Sequence, residues 1–392
     1  MVNTPEQVLG RYQNRILPQW KICFASAVIV GFLTHFYKLT NWLPNWDSLV
    51  FRYDAQNMVA LGRWFLPIVC AFSSFYDLPW LNGLLLLLFH ALGAVCICKI
   101  FRIEKKNSAA LIGAIVVSFP TVTSVLMYSY VADGYSIAFW FACLAAWFLT
   151  REKPNYAAAG ILITLSTAIY QAYITVTILL LLLYLIDRLI YQRESTPSLI
   201  KKSLCFLGTG AVSMVLYQLI LQLLLRLSGD QLSEYQGIQS AMQLSGIDLR
   251  ASLYGIVHGF LKLFDMSQGV SVYSVLNCVI FAAAAIFYGM DAIRNKAFLP
   301  WHRGLLLAVY VICLPFGANI LLLANSQLDY HNLMKMGYCV FYISFVLLYE
   351  RSAFSGQKFL TAKAWGILLL CCALTANQMV IANVSYHKLQ MA

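Results

Sequence analysis

The sequence predicts an all-α protein, a polytopic bundle of about 11 transmembrane helices, and three observations predict it. Of the 392 residues, 61% are apolar and only 11% charged, with a mean hydropathy of +0.72, whereas a water-soluble globule carries about 25% charged residues. Apolar segments of about 20 residues, each long enough to cross roughly 30 Å of hydrocarbon as a helix, recur along the whole chain. The alternation expected of a barrel strand is absent, and because backbone in lipid must satisfy its own polar groups, the helix remains. Residues 1–392 therefore read as a single integral membrane domain.

Taken in order, the spans are 22–39, 80–99, 109–127, 134–149, 156–169, 173–190, 204–225, 272–290, 305–324, 333–349 and 364–381. The fifth is short by the usual length criterion, and 156–190 reads equally as one very long helix. The side of the membrane on which the C-terminus lies turns on that choice.

Lys and Arg accumulate in short cytoplasmic segments, which tests orientation independently of hydropathy. With eleven spans and a cytoplasmic N-terminus, 19 of the 27 basic residues fall in cytoplasmic segments and 8 in external ones. The net charge of +11 is then explained by topology and attraction to the membrane surface, with no need for nucleic acid as a partner. The first apolar run begins only at Ile22 and is followed by Lys38 and Trp42 rather than a small-residue cleavage site, so it reads as a retained signal anchor. The 11 cysteines lie mostly within spans and lack metal-type spacing outside them. No GxxxxGK, no GxGxxG after a strand and no HExxH occurs, which argues against nucleotide-driven chemistry.

Two external segments are long, 40–79 and 226–271, and function is expected to gather there. In the first, Trp46, Leu49, Val50, Tyr53, Asn57, Ala60, Leu61 and Trp64 approach helical spacing and suggest an amphipathic helix lying along the interface. Asp47 and Asp54, seven residues apart, would project from one face of it. Asp47, after Asn45 and before Ser48, is alternatively a helix cap. Arg52 and Arg63 present guanidinium donors that match a phosphate, or alternatively pair with the two aspartates or with lipid headgroups. Asp77 reads as a turn or cap residue, and Asp133 stands in YSYVADGY. The second long segment suggests one or two surface helices, with Tyr254, His258, Lys262 and Asp265 near an acceptor.

Further along, STAIYQAYITVT sets Tyr170, Gln171 and Tyr173 between two apolar runs, a polar break suited to hydrogen bonding with a sugar. In SQLDYHNLMKMGYC, His331 and Lys335 lie four residues apart, which on an α-helix places a cationic pair on one face, able to grip a phosphate.

NWDSLVFRYD and LGRWF after the first span, YSYVADGYSIAFW at the third turn and TAIYQAYI further on together resemble the membrane-embedded family II glucosyltransferases that modify bacterial O-antigen, within the GT-C class. The likeness covers most of the chain. It implies a multi-helix core, an acidic residue in the first external loop, and a sugar, glucose by family expectation, carried on a polyprenyl phosphate. Carried over by position, it makes Asp47 the first candidate for the catalytic carboxylate and Asp54 the second, although the paired Asp-Asp found after the first helix in many relatives is missing here. Arg52, Arg63, Tyr170, Gln171, His331 and Lys335 would hold donor phosphate and sugar. The implied setting is the bacterial inner membrane with the site on the periplasmic face and lipopolysaccharide or another glycan as acceptor. A divalent metal is neither required nor excluded by these residues. A lipid-linked sugar flippase, which predicts charges deep within helices, and a glycan polymerase, which predicts arginine-rich external loops, are the competing functions.

Overall fold

The computed structural model describes residues 4, 16–50, 58–233, 248–265, 272–326, 328, 330–352 and 357–391. Arg52, Asp54 and Asp329 lie outside them. Among the described residues the regular structure is entirely helical, and ten helices are long and apolar enough to cross a membrane.

In chain order the helices are α1 (Pro18–Thr40), the short α2 (Trp46–Val50) and α3 (Leu66–Cys70), α4 (Pro79–Ile100), α5 (Lys106–Ser118), α6 (Pro120–Met127), α7 (Ala132–Thr150), α8 (Tyr156–Ile169), α9 (Ile174–Ile190), α10 (Thr196–Ser228), α11 (Leu249–Leu261), α12 (Val272–Arg294), α13 (Trp301–Ala318), α14 (Leu321–Ala324), α15 (Cys339–Arg351) and α16 (Lys358–Met391). Proline opens α1, α4, α6 and α10, where its missing N–H costs nothing because the first helical donors are orphans in any case. Asn155 caps α8 by accepting the Ala158 amide at 3.0 Å.

The tightest packing is among α1, α4, α5 and α7, and small residues permit it. A Cβ on Gly113 would stand 2.3 Å from the Cys23 carbonyl oxygen, so α1 and α5 touch backbone to backbone. Lipid tails are as apolar as leucine, and close van der Waals approach through small residues is what associates helices there. Between α5 and α6 the helical path bends at Pro120, which cannot donate to the ladder and forces the preceding Phe119 to an extended ψ of 136°.

The segment 156–190 is two antiparallel helices. Tyr170 is extended (φ −157°, ψ 116°). Ser166 on α8 donates to the Ala138 carbonyl of α7, and Thr177 on α9 donates to Ala142 of the same helix, so the chain climbs α7 and then returns along it. With this reversal the ten long helices and α8 make eleven traversals among the described residues, and the two termini lie at opposite ends of the bundle. The 14 residues of α8 rise about 21 Å, less than the hydrocarbon thickness, and Tyr170 at its end is buried.

Three expected elements differ. Residues 46–64 do not form one helix: among those described, only Trp46–Val50 is helical, and 58–64 are turns closed by Gly62 at φ +71°. The expected span 305–324 stops at Ala318, because the Asn319 side chain donates to the Ile256 carbonyl of α11 and accepts the Tyr338 hydroxyl. The expected span 333–349 opens as a 3₁₀ segment, Asn332–Tyr338.

At the end of the bundle opposite the Tyr170 turn, the basic end, ion pairs join the helix ends. Arg351 grips both Asp187 oxygens at 2.8 and 2.9 Å, and Lys363 bonds Asp291 at 3.0 Å while Tyr191 donates to the same carboxylate. Glu194, between α9 and α10, takes Arg188, Lys202 and Ser198. Burial pushes the Glu194 carboxyl up, but these three donors outweigh it and hold the group at about 2.

Two predictions follow from this packing. Gly113→Val should destabilise the protein by about 1–3 kcal/mol through overpacking, read as a lower thermal midpoint in detergent. Gly208→Ala, with nothing within 4 Å, should leave that midpoint unchanged. Glu194 titrates near 4.5 when unfolded and about 2 when folded, so the unfolded state binds more protons in that window. Its contribution is complete above pH 4.5 and is lost as pH falls toward 2, and the stability gap between wild type and Glu194→Gln should close over the same interval.

Candidate active site

The buried turn at Tyr170 would leave backbone groups unpaired, and the loop 58–65 supplies their partners. The Phe65 amide donates to the Ala168 carbonyl at 3.0 Å. In return Gln171 Nε2 donates to the Leu61 carbonyl at 2.9 Å, Tyr217 of α10 donates to the Gly62 carbonyl at 2.9 Å, and the Ser233 amide donates to Ala60. Irregular backbone at membrane depth is tolerated only where the protein satisfies it in this way. Gly62 is fixed twice over, since a Cβ there would stand 2.5 Å from the Tyr217 hydroxyl and 2.7 Å from Gln171 Nε2.

The same loop delivers Arg63. Its Nη1 donates to the Tyr135 hydroxyl at 3.2 Å, and its guanidinium carbon lies 4.7 Å from the centre of the Tyr170 ring, which is stacked on Tyr135 at 4.7 Å. A cation is attracted to the face of an aromatic ring, which holds the Arg63 guanidinium against Tyr170.

Asp47 lies in the first turn of α2 and is half-buried. It is not the cap: Asn45 Oδ1 accepts the Ser48 amide at 2.8 Å, so the Asp47 carboxylate is not taken up by capping. Asp77 has a bridging role instead of a capping one. It accepts Trp42 Nε1 at 3.0 Å and the Ser129 hydroxyl, tying the start of the first loop to the entrance of α7. Asp133 is buried beneath α3, with Cys70 Sγ donating to Oδ1 at 3.6 Å. Burial and the neighbouring Asp133 charge push the Cys70 thiol well up, so it stays a donor. Asp133 Oδ2, Trp64 Nε1, Tyr173 Oη and Ser48 Oγ are buried polar atoms without a partner among the described residues, and buried polar atoms ordinarily have one.

The 3₁₀ segment Asn332–Tyr338 packs against the Gln171–Tyr173 turn and α9, and Thr121 donates to the Asn332 carbonyl. His331 and Lys335 therefore reach the same end of the bundle, though not as a stacked pair: a 3₁₀ helix eclipses residues three apart, and Lys335 accordingly bonds Asn332 at 3.4 Å. Gln171, expected to face a sugar, spends its amide on Leu61 and on Tyr217 Oη at 3.3 Å.

Sequence reasoning missed Asn45 as the cap, Asp133 with Cys70, and Tyr135 and Tyr217. Tyr135 sits two residues beyond Asp133 in a motif already singled out, but its contact with Arg63 joins positions 72 apart and has no local signal. No group of three His, Cys, Asp or Glu side chains converges as a metal-ligand set among the described residues.

A sequence model of the family described as Glucosyl transferase GtrII matches residues 36–349. No curated protein and no solved structure matches the chain.

Gly62→Ala should lose about 1–2 kcal/mol from the left-handed conformation alone, and more from the clash with Tyr217 and Gln171. Gly229→Ala shares the positive φ, +73°, but has nothing within 4 Å. Thermal unfolding of the two variants should therefore show the larger fall for Gly62→Ala.

Proposed function

Because the chain belongs to the GtrII glucosyl transferase family, we propose that it transfers a hexose, glucose by family expectation, from a polyprenyl-phosphate carrier to a glycan acceptor such as O-antigen. The transfer takes place at the periplasmic face of a bacterial inner membrane, with the N-terminus cytoplasmic. The observation that carries this reading is Arg63, held on the Tyr135–Tyr170 pair by a hydrogen bond and a cation–aromatic contact in the loop that follows Asp47.

The reaction is a displacement at the anomeric carbon. Asp47, with Asp54 as the other candidate, takes the proton from an acceptor hydroxyl as its oxygen attacks. The bond between the anomeric carbon and the phosphate oxygen breaks, and its electron pair leaves with the polyprenyl phosphate. Arg63 neutralises that departing charge, with Arg52, His331 and Lys335 as further cations. A site that excludes water strengthens such charge stabilisation.

A lipid donor also needs room for its tail. Helices α12 and α13 are joined at the basic end yet diverge: α13 packs on α9 and α12 on α15. Between them lies a groove of about 540 Å³ lined by apolar side chains such as Leu183, Phe281, Leu307 and Phe341, with Phe260 of α11 among its walls. This groove supports an isoprenoid carrier.

The test is transfer from polyprenyl-phosphate-linked glucose to lipopolysaccharide in membranes carrying matched amounts of each variant. Loss of the base, by Asp47→Asn or Asp54→Asn, should cost about 10²–10⁴ in rate. Arg63→Ala should lower transfer comparably, and Arg63→Lys should recover only part, because an ammonium cannot both stack on Tyr170 and present a planar fork. Charge reversal at His331 or Lys335 that leaves transfer intact would remove that residue from the site.

A further inference from the structure

A second concave site opens beside Asp47. A cleft of about 330 Å³ is bounded by α2 on one side and the 75–79 segment on the other, and is lined by Trp42, Ser48, Phe75, Tyr76 and Asp77. That volume is at the small end of ligand pockets, about 300–1,000 Å³. We propose that this cleft is the acceptor subsite and binds a neutral saccharide unit of the glycan, a proposal that rests on the transferase reading above.

The lining matches a sugar in three respects. Trp42 and Tyr76 offer flat aromatic faces for the apolar side of a pyranose ring. Asp77 offers carboxylate oxygens for hydroxyl donors while Trp42 Nε1 and the Ser129 hydroxyl fix its orientation. Ser48 is 2% exposed and its hydroxyl has no partner among the described residues, although the residue lines the cleft. An unsatisfied buried hydroxyl is unfavourable, and a ligand hydroxyl would remove that cost.

Asp77 lies in the wall, and its carboxylate oxygens accept from hydroxyl donors such as those of a polyol. The wall is also preset: consecutive Ser74 and Phe75 hold φ of 53° and 55°, values that side-chain-bearing residues rarely adopt. Ser48 and Asp47 are neighbours in one helical turn, so a saccharide held against Ser48 lies next to the turn that carries the candidate base.

Exposed aromatics also belt the membrane interface, and Phe72, which is 76% exposed and outside the cleft lining, serves as the control for that role. The experiment uses the full chain in lipid nanodiscs and, as probe, O-polysaccharide released from the host's lipopolysaccharide by mild acid. Binding is measured by equilibrium dialysis without donor, and acceptor KM is measured with donor. Tyr76→Ala and Ser48→Ala should each weaken binding and raise acceptor KM by about ten-fold for the tyrosine and about three-fold for the serine, with donor KM unchanged, while Phe72→Ala binds as wild type. If Tyr76→Ala and Phe72→Ala behave alike, or if wild type transfers sugar while the cleft variants keep its acceptor KM and binding, the cleft is an interfacial belt and the proposal is overturned. If wild type binds the polysaccharide, the cleft variants do not, and no sugar is transferred, the cleft stands and the transferase reading falls.

Discussion

Backbone in hydrocarbon must find its hydrogen-bond partners inside the protein, and the organisation of this chain follows from how it meets that constraint at Tyr170. Helix α8 is short, and the chain reverses at the buried Tyr170. The Ala168 carbonyl at the reversal is bonded by the Phe65 amide of the loop 58–65, whose own carbonyls at Ala60, Leu61 and Gly62 are taken by Ser233, Gln171 and Tyr217. That mutual satisfaction fixes Arg63 against Tyr135 and Tyr170. A requirement of membrane folding thus places a cation at a protein-lined position.

The chemistry uses what the fold leaves over. At the basic end ion pairs join Asp187 with Arg351, Asp291 with Lys363, and Glu194 with Arg188 and Lys202, and they tie α9 to α15 and α10, and α12 to α16. At the site end the arrangement differs. Arg63 rests on an aromatic face, the capping work beside Asp47 is done by Asn45, and several buried polar atoms stand without partners. An apolar groove lies between α12 and α13, and a smaller cleft lies beside α2.

Much of the fold was legible because hydropathy and basic-residue bias report directly on lipid and membrane side. Eleven traversals, the break at Tyr170 and the gathering of 40–79 with the 330s at one end all follow from that pattern. Helix lengths were less legible. The 204–225 window grew to the 33 residues of α10, since a helix runs on past the hydrocarbon wherever its polar ends are solvated. The i,i+4 pairing of His331 and Lys335 assumed an α-helix, and the 3₁₀ geometry of Asn332–Tyr338 undid it. Within the site, Asp47 and Arg63 were visible because charge is rare in such a sequence. Tyr135, Tyr217, Ser48 and the pairing of Asp133 with Cys70 were not, because tyrosine and serine are common and these contacts join distant segments.

The most direct measurement reconstitutes the purified protein in liposomes with polyprenyl-phosphate-linked radiolabelled glucose and glycan acceptor on one face, and follows both the label and the carrier. Glucose appearing on the acceptor in step with free polyprenyl phosphate is the result expected of a transferase with this site. Intact labelled donor accumulating on the opposite leaflet, with no label on the acceptor, would contradict it and make the protein a carrier of lipid-linked sugar.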